Sequence, residues 1–197
     1  MKINKEDIIL IGGGGHCISC IDVIEQEDKF NIVGVVDLNE IKNVQGYKFL
    51  GSYSNLKELI KYYKYAFITF GHIKNIAERN DTFTLLQELG FIIPSIISPK
   101  AYVSKNSKIG DGSIVMHGSI INSNASIGKN CIVNTNALVE HDSHVGNNCH
   151  ISTGSIINGS CKIGEGSFIG SNATIVNGSV ITNNSFIKAG SIYYTKK

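Results

Sequence analysis

The sequence predicts two domains of different class in tandem, an α/β domain over residues 1–94 and an all-β parallel β-helix over residues 95–197. Strand-like and helix-like segments alternate in the first half, whereas the second half carries a six-residue repeat. Charged residues fall from 23 in residues 1–100 to 11 in residues 101–197, which instead hold 15 Ser and 13 Asn. Both prolines, Pro94 and Pro99, lie where the composition changes. Because proline restricts its own backbone and that of the preceding residue, we expect an extended connector there.

The composition excludes several classes of protein. With 42% hydrophobic residues in 197, the chain has enough apolar material to fold. A net charge of +2 is too small for a protein that binds the phosphates of nucleic acid through an excess of basic residues. No apolar run reaches the ~18 residues of a membrane span, and the N-terminus has no signal-peptide core. Five cysteines, an odd number, then favour free thiols in a reducing cytoplasm.

The six-residue repeat runs without a slip from Ile97 to Ile187, because every sixth residue is Ile or Val. A small residue (Ala, Ser or Cys) follows each of them four positions later. This pattern is typical of a coil of short strands joined by tight corners, with the large residue inside each face and the small one at a corner. Three faces of six residues predict 18 residues per coil, hence about five coils. Cys131, Cys149 and Cys161 occupy the small-residue position, which favours packing over a metal or redox role.

The first half reads as alternating strands and helices. Strands are predicted at residues 8–11, 32–36 and 65–70, and helices from the glycine cluster to about Asp28, at 55–63 and at 76–89. Such alternation predicts a parallel sheet, and the segment is long enough for half of a Rossmann domain. Cys17 and Cys20 form a C-x-x-C on the first helix, where packing against the sheet is favoured over a redox pair.

A glycine-rich turn, Gly12 to Gly15 followed by His16, joins the first strand to its helix. Backbone N–H groups of such a turn suit a phosphate. The dinucleotide fingerprint is broken, since Cys17 stands at its third glycine position, and Asp37 ends the second strand, where an acidic residue usually meets ribose or base. A mononucleotide site is therefore favoured over an NAD site. Glycines that serve only the tight turn remain an alternative.

The second half carries four of the six histidines, and only His141 lies between two carboxylates, Glu140 and Asp142. Histidine titrates near neutral pH, so an imidazole here can take one proton from an attacking nucleophile. Either carboxylate could fix the imidazole tautomer, and in a reaction that forms an oxyanion the N–H of Gly154 is a candidate donor. The alternatives are ordinary turn histidines or a zinc site of three imidazoles that converge across a subunit interface.

The repeat resembles that of the left-handed β-helix, hexapeptide-repeat acyltransferases that use acyl-coenzyme A. The two halves together resemble bacterial sugar acetyltransferases with an N-terminal nucleotide-binding domain, of the bacillosamine and perosamine N-acetyltransferase and sialic acid O-acetyltransferase types. The matching pieces are the glycine turn with His16, Asp37, Phe70 with Gly71, residues 140–142, and residues 149–152.

This resemblance implies a left-handed coil, acetyl-CoA as cosubstrate, no metal, a nucleotide-linked 4-amino sugar as acceptor and a homotrimer. It implies that His141 is the general base, oriented by Asp142 or Glu140, and that His150 lies by the thioester. We assign acetyl-CoA binding to His150, Gly154 and Gly170, and substrate binding to a second set: Gly12, Gly14, Gly15, His16, Asp37 and Gly71.

The sequence departs from this family in two places. It lacks the Gly-x-Pro-Ala segment that commonly covers coenzyme A, and Arg79 lies eight residues after Gly71, where many relatives place an arginine five residues on. Sialic acid O-acetylation is the alternative activity. A metalloenzyme of the γ-carbonic anhydrase type and a non-enzymatic scaffold are the more remote alternatives.

Overall fold

A computed structural model describes residues 5–73 and 76–195 of the chain. Two compact units are present. One comprises the chain up to Gly71 together with Ala77–Pro94. The other comprises the chain from Ser95 onward and takes in the short segment at His72 and Ile73. None of the helices in the described ranges is long and apolar enough to cross a membrane.

The N-terminal unit is a four-stranded parallel sheet with the order β3-β2-β1-β4. Its strands and helices, in chain order, are β1 (Glu6–Ile11), α1 (Gly15–Glu27), β2 (Phe30–Val36), β3 (Phe49–Gly51), a 3₁₀ turn (Tyr53–Asn55), α2 (Leu56–Leu59), β4 (Tyr65–Ile68) and α3 (Ala77–Glu88). This is half of a Rossmann sheet, as the sequence predicts. Ile8 to Ile11 on the central strand β1 are all fully buried, which explains their unbroken apolar run.

Two elements of this unit differ from the sequence-based expectation. The edge strand β3 has only three residues and includes Gly51, so it leaves no apolar run to detect. The helix expected over residues 55–63 is a 3₁₀ turn followed by the single helical turn α2. Reciprocal hydrogen bonds between Ser52 and Asn55 start the tight turn, since the Ser52 N–H donates to the Asn55 Oδ1 at 2.9 Å and the Asn55 N–H donates to the Ser52 carbonyl at 2.9 Å.

The second unit is a left-handed parallel β-helix of three sheets. Each strand has two residues, begins six residues after the preceding strand, and pairs in parallel with the strand 18 residues later. The strands are β5 (Ile96–Ile97), β6 (Tyr102–Val103), β7 (Lys108–Ile109), β8 (Ile114–Val115), β9 (Ile120–Ile121), β10 (Ser126–Ile127), β11 (Ile132–Val133), β12 (Leu138–Val139), β13 (His144–Val145), β14 (His150–Ile151), β15 (Ile156–Ile157), β16 (Lys162–Ile163), β17 (Phe168–Ile169), β18 (Thr174–Ile175), β19 (Val180–Ile181), β20 (Phe186–Ile187) and β21 (Ile192–Tyr193).

The second residue of each strand faces the interior of the coil, and these residues form one continuous core. Cys131, Cys149 and Cys161 are fully buried free thiols in that core, and the thiols of Cys17 and Cys20 are buried on α1. Burial raises the pKa of the Cys161 thiol, because a thiolate would lose its hydration. The structure therefore gives these cysteines packing positions.

The corners of the coil contain a second register of six. From Gly112 onward, one residue in each corner has a left-handed backbone, and only Gly, Asn, Asp or Ser occurs there, as expected for a conformation that disfavours a large side chain. These residues are Gly112, Gly118, Asn124, Asn130, Asn136, Asp142, Asn148, Gly154, Ser160, Gly166, Asn172, Gly178, Asn184 and Gly190. The left-handed backbone therefore accounts for the Gly, Asn, Asp or Ser at this position of the repeat from Gly112 onward.

Replacing Ile151 by Asp is expected to unfold the β-helix. Ile151 is 0% exposed in an apolar interior, so a carboxylate there has no partner and costs several kcal/mol. Thermal melting followed by circular dichroism measures the effect. Val180→Asp is the control, because Val180 is 48% exposed on the outside of the coil. An Ile151→Asp protein that melts with the parent would show that the six-residue register is wrong.

Candidate active site

His141 lies at the corner between β12 and β13, and its side chain is 59% exposed. Its Nδ1 is 2.8 Å from Oδ2 of Asp142. Asp142 is the left-handed residue of this corner, with a φ of 60°. The other carboxylate oxygen of Asp142 accepts a hydrogen bond from the Asn124 side chain at 3.2 Å. The carboxylate that holds the ring is thus itself held by a residue one coil earlier.

Glu140 has a different role from Asp142. Its Oε2 accepts hydrogen bonds from the Asn122 side chain at 2.9 Å and from the backbone N–H of His141 at 3.2 Å. The sequence left open which carboxylate orients the imidazole. In the structure Asp142 bonds the ring, and Glu140 bonds the backbone that carries it.

The charge around His141 favours its protonated form. The hydrogen bond to Asp142 raises the pKa of His141, and the negative charges of Asp142 and Glu140 act in the same direction. The same hydrogen bond lowers the pKa of Asp142. Because an ionised carboxylate only accepts, Nδ1 carries the proton in the neutral ring and Nε2 has the free electron pair. Nε2 has no hydrogen-bond partner among the residues that the structure describes. This arrangement can remove a proton from a bound molecule.

The structure does not bring His150 to His141. His150 is on β14 and is only 7% exposed. Its Nδ1 is 2.7 Å from the carbonyl oxygen of His72, and its ring packs edge-on against Phe168. His141 stands at the corner between two sheets, and His150 stands on the third sheet. In a three-sided coil the third side lies opposite that corner, so the two histidines of one chain point away from each other.

Gly154 and Gly170 have structural reasons to be glycine. Gly154 is a left-handed corner residue with a φ of 65°, and its N–H donates to the Thr135 carbonyl at 2.9 Å. That N–H is therefore engaged within the coil and is not available as the oxyanion donor we expected. Gly170 is buried, and a Cβ there would lie 2.4 Å from the backbone nitrogen of Ala189. No described contact assigns either residue to a cofactor.

In the N-terminal unit, Gly12 closes the turn after β1. Its φ is 100°, and a Cβ there would lie 2.6 Å from Cδ1 of Phe70. The Thr69 hydroxyl donates to the Gly12 carbonyl at 2.5 Å and to the Ile11 carbonyl at 3.0 Å. The turn is thereby fixed to the end of β4, where Gly71 is exposed.

Asp37 reaches the same turn from the end of β2. Its Oδ2 accepts a hydrogen bond from the Gly13 N–H at 2.7 Å. Gly14 and Gly15, at the start of α1, are exposed with open space where a Cβ would be, and His16 beside them is half-buried. The predicted residues thus meet at the carboxyl ends of the parallel strands, where α/β sheets bind ligands. A phosphate at this turn would meet the N–H groups after Gly13, because Asp37 already occupies that of Gly13.

Arg79 does not face this open turn. It is fully buried, and its guanidinium donates to the carbonyls of Ile68 at 3.1 Å and Phe70 at 2.6 Å. Its observed role is to hold the end of β4. The described residues include no group of three or more His, Cys, Asp or Glu side chains that could hold a metal ion.

Sequence reasoning missed several residues of the site, although a signal for them existed. Asn124 and Asn122, which hold the two carboxylates, each lie 18 residues before their partner. Gly159 lies 18 residues after His141, and a Cβ at Gly159 would lie 2.8 Å from the imidazole. The 18-residue period of the coil would have identified all three, because each lies 18 positions before or after a predicted residue.

Two family models match the sequence. The PglD N-terminal domain matches residues 7–81, and the bacterial transferase hexapeptide (six repeats) matches residues 160–192. A search of curated proteins finds no match to the chain.

Solved structures match nearly the whole chain. One is the H141N mutant of perosamine N-acetyltransferase from Caulobacter crescentus, in complex with CoA and GDP-perosamine, with 28% identity over 95% of this chain and 88% of that chain and a TM-score of 0.89. Another is the acetyltransferase domain of PglB from Neisseria gonorrhoeae in complex with acetyl coenzyme A, with 27% identity over 95% and 90% and a TM-score of 0.84. WeeI from Acinetobacter baumannii, at 21% identity over 97% of both chains and a TM-score of 0.75, shares the fold.

These matches define the class: the chain is an acyltransferase, with one region similar to the PglD N-terminal domain and another similar to the hexapeptide-repeat transferases. Within that class it is similar to the sugar acetyltransferases of the perosamine and bacillosamine type, as the sequence resemblance implied.

Asp142→Asn is expected to lower the pKa of His141 towards its ordinary value. The substitution removes the charge and the acceptor that stabilise the imidazolium, and Asn suits the left-handed corner, as at Asn124. Glu140→Gln is the matched control and should lower this pKa less, because Glu140 does not bond the ring. NMR titration of the His141 ring protons measures both. An unchanged pKa in Asp142→Asn would show that this hydrogen bond does not form in solution.

Proposed function

We propose that this enzyme transfers the acetyl group of acetyl-CoA to the 4-amino group of a nucleotide-linked sugar, with His141 as general base. The observation that carries the proposal is the His141–Asp142 pair, which leaves Nε2 open on the outside of an acyltransferase β-helix. The similar structures support the substrates, since the perosamine enzyme binds CoA and GDP-perosamine and the PglB domain binds acetyl coenzyme A.

The chemistry requires one base and one oxyanion donor. The amine nitrogen attacks the thioester carbonyl carbon, a C–N bond forms, and Nε2 of His141 takes one proton from the nitrogen. Asp142 stabilises the imidazolium that results. The C–S bond then breaks, and the proton on Nε2 of His141 passes to the coenzyme A sulfur. The N–H of Gly159 is the best candidate donor to the oxyanion, because it donates no hydrogen bond within the described part of the chain and lies beside the His141 ring.

The N-terminal unit supplies the binding site for the nucleotide part of the acceptor. The open N–H groups at Gly14 and Gly15 suit the diphosphate, and Asp37, His16 and Gly71 lie at the same ends of the parallel strands. His150, Gly154 and Gly170 remain our assignments for acetyl-CoA binding. The product fits bacterial surface glycan biosynthesis in the cytoplasm. N-acetylation is favoured over sialic acid O-acetylation, because the perosamine enzyme acts on an amino sugar.

The test is a turnover assay with acetyl-CoA and a panel of GDP-, UDP- and dTDP-linked 4-amino sugars. Free sialic acid is included as the alternative acceptor. Binding of NADH is measured separately and compared with binding of the sugar nucleotides. With the best acceptor, His141→Ala should lower kcat by roughly 10²–10⁴. Acetyl-CoA affinity should change little, because the base faces the acceptor.

His141→Asn should be no better, since an amide cannot accept the proton. Because the pKa of His141 is raised, kcat/KM should rise with pH through a value above that of an ordinary imidazole. His144→Ala is the control, since His144 bonds Ser126 on the neighbouring strand of its own sheet. A His141→Ala enzyme that retains more than half of the parent kcat, with chemistry rate-limiting, would remove His141 from the mechanism.

We also propose that the chain forms a homotrimer, and the β-helix surface supports this. The outward residues of the sheet that contains β12 are nearly all apolar: Tyr102, Ile120, Leu138, Ile156, Thr174 and Ile192. Tyr102, Ile120 and Ile192 are exposed. The outward residues of the sheet that contains β13 are mostly polar: Lys108, Ser126, His144, Lys162 and Val180. A trimer would cover the apolar sheet. It would also let His141 and His150 of different copies serve one acetyl-CoA, which two histidines on opposite sides of one coil cannot do.

Ile120→Asp should break the trimer while the fold persists. Ile120 is 40% exposed on the apolar sheet, so a carboxylate there is tolerated in a monomer but not in an apolar interface. Light scattering should give three times 21.3 kDa for the parent and 21.3 kDa for the variant. Ser126→Asp, on the polar sheet, is the control and should remain trimeric. A parent mass of 21.3 kDa at micromolar concentration would refute the trimer.

A further inference from the structure

Gly159 differs from the other β-helix glycines that have an ordinary backbone. At Gly110, Gly128, Gly146, Gly164 and Gly170 a Cβ would lie 2.4–2.7 Å from the backbone of the next coil. At Gly159 the Cβ would instead meet two side chains, since Cε1 and Nε2 of His141 are each 2.8 Å away and Oδ1 of Asn177 is 3.0 Å away. Position 159 therefore requires glycine because the imidazole and the amide occupy the space that a Cβ would need.

These three residues form one column along the corner of the coil. Gly159 follows His141 by 18 residues, and Asn177 follows Gly159 by 18 residues. Gly159 is buried, whereas His141 and Asn177 are exposed. The repeat thus places an imidazole nitrogen and an amide oxygen on either side of the same buried backbone, in the exposed corners one coil before and one coil after Gly159.

Both atoms are hydrogen-bond acceptors without a partner among the described residues. Nε2 of His141 has its electron pair free because Nδ1 bonds Asp142. The Asn177 side chain makes no hydrogen bond within residues 5–73 and 76–195. Nε2 and Oδ1 lie 2.8 Å and 3.0 Å from the point where a Cβ of residue 159 would be, so the gap between them is no wider than two hydrogen bonds of about 3 Å. A single nitrogen beside the coil can therefore donate to both.

We propose that Nε2 of His141 and Oδ1 of Asn177 together bind the two hydrogens of the acceptor's primary amine, and that Asn177 makes the enzyme specific for an amine over a hydroxyl. The proposal rests on the proposed function and names the group that the site selects. A neutral amine has two N–H donors and satisfies both acceptors. A hydroxyl has one donor, so it leaves one acceptor unpaired in the closed complex.

The reaction retains this pairing. When the nitrogen attacks the thioester carbon, the hydrogen bonded to His141 moves to Nε2 as the C–N bond forms. The hydrogen bonded to Asn177 stays on the nitrogen and becomes the N–H of the amide product. The C–S bond then breaks, and the proton on His141 is transferred to the departing sulfur of coenzyme A. Asn177 thus fixes which hydrogen His141 can reach.

The experiment compares the 4-amino sugar nucleotide that turns over fastest in the panel above with its 4-hydroxy counterpart, at several pH values. Asn177→Leu removes the acceptor at similar size, and Asn177→Asp keeps an acceptor oxygen. The control is Asn183→Leu, the same change at the equivalent corner position six residues on. Asn183 supports the fold, since its Oδ1 accepts from the Glu165 N–H at 3.0 Å.

We expect Asn177→Leu to lower kcat/KM for the amine by about 10- to 100-fold. The KM for acetyl-CoA and the rate with the hydroxyl acceptor should change little. Asn177→Asp should recover most of the amine rate, and Asn183→Leu should keep the parent preference for the amine.

Three results would overturn the proposal: more than half of the parent amine rate in Asn177→Leu, an equal loss for amine and hydroxyl, or no recovery in Asn177→Asp. A parent enzyme that acetylates the hydroxyl as fast as the amine would overturn it while acetyl transfer stands. A parent that transfers acetyl to no sugar nucleotide would overturn the proposed function itself, and the amine site with it.

Discussion

Stacking of equivalent residues every 18 positions is the constraint on which the rest of the β-helix depends. A coil of three two-residue strands leaves room inside for one Ile or Val per side, so no residue can be added to or lost from a turn without exposing that side chain. The same register places corner residues of successive coils in contact. Asn124 bonds Asp142, Asn122 bonds Glu140, and Gly159 lies under His141 for this reason. Packing in the interior therefore determines the chemistry at the corner.

The sequence predicts the β-helix almost completely, because every turn repeats the same apolar and small positions. It also predicts His141 with its two carboxylates, since charged residues are rare in that half. The sequence pattern does not show which of the two carboxylates forms the hydrogen bond to the imidazole ring. Asp142 does so because its left-handed φ of 60° follows directly after His141, whereas Glu140 is turned towards Asn122. Local backbone geometry decides between two chemically equal neighbours.

The features that sequence reasoning missed have different physical causes. Gly154 was expected to have a free N–H, but the stacked coil uses that N–H for the carbonyl of Thr135. Strand β3 and the short helix α2 have too few residues to show a period. In the glycine turn, Asp37 bonds the Gly13 N–H, a long-range contact between the ends of two strands. Spacing along a chain reveals side chains that repeat, but it shows neither backbone hydrogen bonds nor single tertiary contacts.

The register also limits how such a chain can change length during evolution. One residue inserted into a turn would move every later Ile or Val out of the interior. Six inserted residues would restore the core but rotate everything downstream by one side, which would separate His141 from Gly159 and Asn177 if the insertion fell between them. Only a whole coil restores both the core and the identity of each side. Length variation within the coil should therefore come in multiples of eighteen. Even a whole inserted coil is harmful between residues 122 and 177, because it would separate the side chains that are stacked around His141.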